Sequence, residues 1–137
     1  MDKAHQTSVA RTTNAFLPNV IPPGDLTMAH VTQGGAIASH IREHGRVPVL
    51  SWVICENDMV HQMTGSGLTE GAVTKCAELI LDRFKFRTPN ALRLALRDGL
   101  NSGKMFGKLT YPVIAEWLIE HEEKVEAEAY RKHMGTK

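Results

Sequence analysis

The chain has little of what membrane and secreted proteins need. Its 137 residues include only two cysteines, Cys55 and Cys76, which are too few for a disulfide framework. No apolar run approaches the roughly 18 residues of a membrane-spanning helix, and the first residues lack the charged and apolar regions of a secretory signal. We therefore expect a soluble, cytoplasmic protein with no membrane contact, in which both thiols act as small hydrophobic side chains.

The sequence also lacks segments in which polar residues alternate with β-branched ones, so no sheet is expected. Apolar residues recur instead at helical spacing, most clearly from Val73 to Phe84. This pattern predicts an all-α fold, a small bundle of about five helices. The predicted helices cover residues 27–33 and 36–44, 48–63, 70–84, 89–102 and 111 onward, and the last helix is expected to project beyond about residue 125.

Capping residues set these boundaries. Asp25 or Thr27 is expected to cap the first helix, and Thr69 and Thr88 the third and fourth. Glycine and proline provide the other signals, since glycine is common just after a helix and proline is tolerated in its first turn. On this basis Gly34-Gly35 interrupts the first helix, Gly45 ends it, Pro48 starts the second, and Thr110-Tyr111-Pro112 opens the last.

Residues 1–24 are expected to form a flexible arm before a helical domain of residues 25–137. The arm is rich in Thr, Asn and Pro, and its prolines Pro18, Pro22 and Pro23 oppose regular helix. Within it, residues 16–21 are mostly apolar. Two alternatives remain open for this apolar stretch: a tail that packs on the domain, or a short segment that docks on a partner.

The motifs that suggest catalysis each miss a requirement. His40, Glu43 and His44 match H-x-x-E-H, in which two histidines on one helical face hold zinc. A third ligand must come from elsewhere in the chain, with Glu78 and Glu120 as candidates, and a small helical domain offers little room for a substrate cleft. Residues 99–104 lack the spacing and preceding strand of a phosphate loop. We expect no enzyme activity and no cofactor, with a zinc hydrolase at His40 and His44 as the remaining catalytic alternative.

Charge is unevenly distributed along a chain whose net charge is only +1. Residues 83–108 carry seven basic side chains and one acidic side chain, between two segments with an acidic excess. Arg93 and Arg97 lie one helical turn apart, so they can share a solvent face that attracts an acidic protein surface or phosphate. The alternative is a solvated face that the acidic last helix partly neutralises. The predicted contact residues are Arg87, Arg93, Arg97, Lys104, Phe106 and Lys108.

Four segments between about residues 50 and 125 form a recognisable pattern: Glu78-Leu79-Ile80-Leu81, Phe84-Lys85-Phe86, Gly103-Lys104-Met105-Phe106-Gly107-Lys108-Leu109 and Val113-Ile114-Ala115-Glu116-Trp117-Leu118. This pattern resembles small all-helical proteins of bacterial phages, prophages and plasmids. The helix order is also distantly similar to that of the phage helicase loader/inhibitor family. The resemblance implies roles for Lys104, Phe106, Lys108 and Trp117.

The sequence as a whole therefore predicts a protein that works by binding. The leading expectation is a non-catalytic accessory protein of a phage or mobile element, a DNA-replication adaptor that binds a replicative helicase or initiator. One alternative is a direct nucleic-acid-binding protein that uses the basic 83–108 face, and another is an inhibitor of a host defence or host enzyme. A homo-oligomer also stays open, because Trp52, Met59 and Met63 could form either a core or a dimer seam.

Overall fold

Helices form all the regular structure in residues 20–65, 69–102 and 109–135, the ranges that this computed structural model describes. No strand occurs in those ranges, so the predicted all-α bundle is confirmed. Two short 3₁₀ turns, Pro23–Asp25 and Met28–His30, precede the α-helices. The helices are α1 (Ile37–His44), α2 (Arg46–Thr64), α3 (Glu70–Phe84), α4 (Pro89–Asn101) and α5 (Tyr111–Gly135).

The predicted capping residues act at three helix ends. The Thr69 hydroxyl accepts a hydrogen bond from the Ala72 N–H at 3.2 Å, and the Thr88 hydroxyl accepts one from the Ala91 N–H at 3.1 Å. Gly45, with a φ of 92°, lies between α1 and α2. A side chain there would be strained, which is why glycine suits this junction.

Two predicted boundaries are wrong. Residues 27–33 form only the 3₁₀ turn Met28–His30, capped by Thr27, because Gly34 and Gly35 adopt φ values of 93° and 78° that end helical geometry. Helix α2 begins at Arg46 rather than at Pro48. Proline is tolerated at this third helical position because the first four N–H groups of a helix have no partner within it.

The core lies where α2, α3, α4 and α5 converge. Trp52 of α2 and Phe84 of α3 are fully buried, and so are Leu92 of α4 and Leu118 of α5. Each such side chain contributes about 1.5–3 kcal/mol when removed from water. Cys76 is also buried, as predicted for a core thiol, whereas Cys55 is only half-buried.

Helices α4 and α5 approach each other closely at one point. Gly99 of α4 faces the indole ring of Trp117, and a methyl group at position 99 would overlap that ring. The absence of a side chain at position 99 therefore allows the contact. This contact brings the last turns of α4 directly against α5.

Helix α5 continues to Gly135, and its residues 131–135 are exposed. The preceding turns are not isolated from the domain, because Val125 and Ala129 border a cavity together with Met28 and Val31. In the described ranges, no helix has the length and apolar content to cross a membrane.

Candidate functional site

Arg93 does not lie on a free solvent face, and this corrects the sequence-based expectation. Its guanidinium pairs with the Glu56 carboxylate on α2 and donates a hydrogen bond to the Ile21 carbonyl at 3.1 Å. It also lies over the Trp52 ring, 5.7 Å from the ring centroid. The two side chains of the ion pair are only 15% and 7% exposed. Burial raises the pKa of Glu56, and the charge of Arg93 opposes that effect.

Arg97 is likewise engaged within the chain. Its guanidinium donates to the Pro23 carbonyl at 2.8 Å and to the Leu26 carbonyl at 2.5 Å, and it pairs with Asp98 at 3.0 Å. An arginine presents five donors in a fixed fork, and here Nη1 donates to the two backbone carbonyls while Nε and Nη2 donate to the Asp98 carboxylate. The spacing of Arg93 and Arg97 on one face was predicted correctly, but that face holds the chain's own N-terminal residues.

Two polar side chains at the start of α4 extend the same attachment, and sequence reasoning missed both. Asn90 accepts from the Ile21 N–H at 2.7 Å and donates to the Gln33 carbonyl at 3.1 Å. The Thr88 hydroxyl donates to the Val31 carbonyl at 2.5 Å. We call residues 20–33 the strap, because side chains of α4 bind its backbone along this length. The only sequence signal was a polar Asn90 in an otherwise apolar first turn.

The strap also changes the predicted domain boundary. Val20 and Ile21 are partly buried against the core, and Pro23–Asp25 forms a 3₁₀ turn. Residues 20–24 therefore belong with the helical domain rather than with a separate arm. Residues 1–19 of the predicted arm lie outside the described residues.

The other predicted contact residues divide into two groups. The Arg87 guanidinium lies 3.8 Å from the carboxylate of Glu126 on α5, and the guanidinium of neighbouring Arg83 lies 3.3 Å from the carboxylate of Glu122. This arrangement matches the alternative in which the acidic last helix partly neutralises the basic segment. Lys104, Phe106 and Lys108 lie outside the described residues.

An apolar groove lies beside the strap, between α2 and α4. It has a volume of about 130 Å³, and Pro23 of the strap forms part of its wall. Met59 and Met63 of α2 are 50% and 70% exposed at its rim. We call this surface the methionine groove. The side chains that line it are Pro23, Glu56, Met59, Val60, Met63, Arg93, Leu96, Arg97, Leu100 and Asn101.

The predicted histidine pair does not gather a metal-binding set. The His40 and His44 rings stack with centroids 6.4 Å apart, but His40 Nε2 is 2.7 Å from the Gly34 carbonyl. A nitrogen that donates to a carbonyl carries a proton and offers no lone pair to a metal. In the described ranges, no three His, Cys, Asp or Glu side chains are placed to hold a metal ion.

Another histidine, His121 of α5, is buried where α3, α4 and α5 meet. His121 is 3% exposed, and its ring centroid is 6.2 Å from that of Phe84. Burial lowers its pKa to about 4; Asp98 opposes this effect, while Arg87 and Lys124 add to it. His121 borders a cavity of about 60 Å³ together with Asp98, Glu120 and Lys124. The neutral ring is therefore the form that the fold stabilises.

No protein-family model matches the chain, and comparisons with curated proteins and with solved structures likewise found no match. The resemblance to phage helicase loaders thus stays a prediction from the residues.

Proposed function

We propose that this protein is a non-catalytic adaptor of a phage or mobile element that binds a protein partner in the methionine groove. The partner that we propose is a replicative helicase or an initiator, following the sequence resemblance. The observation that carries the binding role is the exposure of Met59 and Met63 around an apolar cavity. Methionine is flexible and polarizable, and protein-binding surfaces use it to fit apolar side chains of different shapes.

The shape of the groove supports a helical partner segment. Met59 and Met63 are one turn apart on α2, and Leu96 and Leu100 are one turn apart on α4. Two apolar rows of this kind can receive the i, i+3, i+4 and i+7 side chains of an amphipathic helix. We therefore propose an amphipathic helix of the partner as the occupant.

The test uses purified bacterial replicative helicase and purified initiator, each titrated against the protein by calorimetry. We expect one of them to bind, and Met59→Glu to weaken that binding at least tenfold, which is about 1.4 kcal/mol. Met134→Glu is the matched control, since Met134 is 49% exposed at the far end of α5. Failure of both partners to bind would overturn the proposed partner; equal weakening by both variants would overturn the proposed surface.

The same titrations separate the proposal from direct nucleic-acid binding. A protein that neutralises several phosphates loses affinity steeply as salt rises, with a log–log slope close to the number of phosphates contacted. We expect no such binding of double- or single-stranded DNA by the adaptor alone, because Arg87, Arg93 and Arg97 already have partners within the chain. Tight, salt-dependent DNA binding would favour the nucleic-acid alternative.

A further inference from the structure

The methionine groove opens next to the point where the described chain begins. Pro23 lines the groove, and the strap that carries it is fixed by the bonds from Asn90, Arg93 and Arg97. The residues before Val20 must therefore start close to the groove. Whatever apolar side chains they carry are held near it at a high local concentration.

The sequence places an apolar pair at this position. Phe16 and Leu17 are adjacent, and Phe16 is the only aromatic residue in the first 50 residues of the chain. Phe16 lies seven positions before Pro23, which gives a maximum reach of about 24 Å. The groove is shorter than this, because its Met59–Met63 and Leu96–Leu100 rows each span one helical turn, about 6 Å.

The groove also has the size and chemistry that an aromatic ring needs. Its volume of about 130 Å³ is close to the roughly 150 Å³ of an apolar protein cavity that binds benzene. Met59 and Met63 offer thioether sulfurs to a ring, a contact worth about 0.3–1.5 kcal/mol. Phenylalanine fits this site better than a charged or polar side chain does.

We propose that Phe16 and Leu17 dock in the methionine groove of their own chain and compete there with the partner. The competition rests on the proposed function, whereas the docking itself does not. A tethered apolar pair is a weak ligand, but millimolar effective concentration is enough for it to occupy the groove until a better ligand displaces it. A partner helix must then displace this segment, which lowers the apparent affinity of the partner.

Methionine methyl NMR on the full chain tests the docking without any partner. We expect the methyl resonances of Met59 and Met63 to show contacts with the Phe16 ring and to shift in Phe16→Ser/Leu17→Ser. The Met134 methyl should not move, because Met134 lies at the end of α5. Val9→Ser is the matched control, an apolar-to-serine change earlier in the same segment. Unmoved Met59 and Met63 resonances in the double variant would overturn the proposal.

A second copy of the chain is the alternative occupant, and concentration separates the two cases. Docking within one chain gives methyl shifts that do not change on tenfold dilution, whereas a dimer gives shifts that do and would also overturn the proposal. Once a partner is identified, Phe16→Ser/Leu17→Ser should bind it about tenfold more tightly than the parent chain does, if the segment occupies the groove about nine-tenths of the time. If no partner binds, the proposed function fails. The methyl shifts still show whether the segment docks, so the two proposals can fail separately.

Discussion

Helix α4 borders two surfaces, one covered by other residues of the same chain and the other exposed. Along one surface, four side chains form hydrogen bonds with backbone carbonyl and N–H groups of the strap: Thr88, Asn90, Arg93 and Arg97. Along the other, α2 and α4 leave the methionine groove open. The charged surface is the one that draws attention in the sequence, and the structure uses it internally. The sequence leaves the apolar surface undecided, because it does not show whether Met59 and Met63 lie in a core or at an interface.

Removing Arg93 should have the largest effect on stability. Arg93→Ala leaves Glu56 buried without its counter-charge, so we expect the free energy of unfolding to fall by about 3–5 kcal/mol in urea denaturation. Replacing both partners, as in Glu56→Leu/Arg93→Met, should recover most of this loss because no buried charge remains. A loss below about 1 kcal/mol in Arg93→Ala would show that the ion pair is a surface contact and would erase the contrast with the groove.

Lowering the pH should reduce the free energy of unfolding by nearly as much as the removal of Arg93 does. The pKa of His121 is about 4 in the folded protein, below the ordinary histidine pKa of 6.5, so the unfolded chain binds more protons between these pH values. The contribution of His121 to the free energy of unfolding is therefore fully present above pH 6.5. It is lost as the pH falls toward 4, and the loss amounts to about 3 kcal/mol. His61, whose pKa burial also lowers, adds to the loss, and Glu56, whose pKa burial raises, opposes it.

His121→Leu isolates this contribution. Urea denaturation between pH 4 and pH 7 should show that the free energy of unfolding depends less on pH in the variant than in the parent chain. If His121→Leu leaves the slope unchanged, the buried ring is not the source of the acid sensitivity.

Helix geometry predicted much of the fold, because the signals for it are local. Thr69 and Thr88 act as caps within three residues of their partners, and the apolar spacing from Val73 to Phe84 faces the core as expected. The strap contacts could not be predicted in this way. Arg93 and the Ile21 carbonyl are 72 positions apart, and every residue has a carbonyl, so nothing in the sequence marks Ile21 as the acceptor.

The candidate site was harder to predict for the same reason. Charge indicates which residues can make strong contacts, but it does not show whether the partner is another molecule or the same chain. Glu56 is one of several carboxylates on α2 and α3, and only the packing of α2 against α4 selects it for Arg93. Exposure of Met59 and Met63 likewise depends on which face of α2 the other helices cover.

A smaller effect is expected at the contact between α4 and α5. Gly99→Ala places a methyl group against the Trp117 indole, and such overpacking costs about 1–3 kcal/mol. Gly71→Ala is the matched control, because position 71 of α3 has open space around it and alanine is favoured over glycine in a helix by about 1 kcal/mol. Opposite signs of the two changes in urea denaturation would confirm the contact; equal stabilisation would show that α4 and α5 can separate at this point.

The smallest effect should be at the groove itself, and it tests the comparison most directly. Met63 is 70% exposed, so Met63→Gln should change the free energy of unfolding by no more than about 0.5 kcal/mol. Met134→Gln, at a similarly exposed methionine on another helix, serves as the control in the same urea series. A loss above about 1.5 kcal/mol specific to Met63→Gln would mean that this side chain supports the core. The groove would then be as fully used as the strap surface, and an exposed apolar rim would no longer argue for a bound partner.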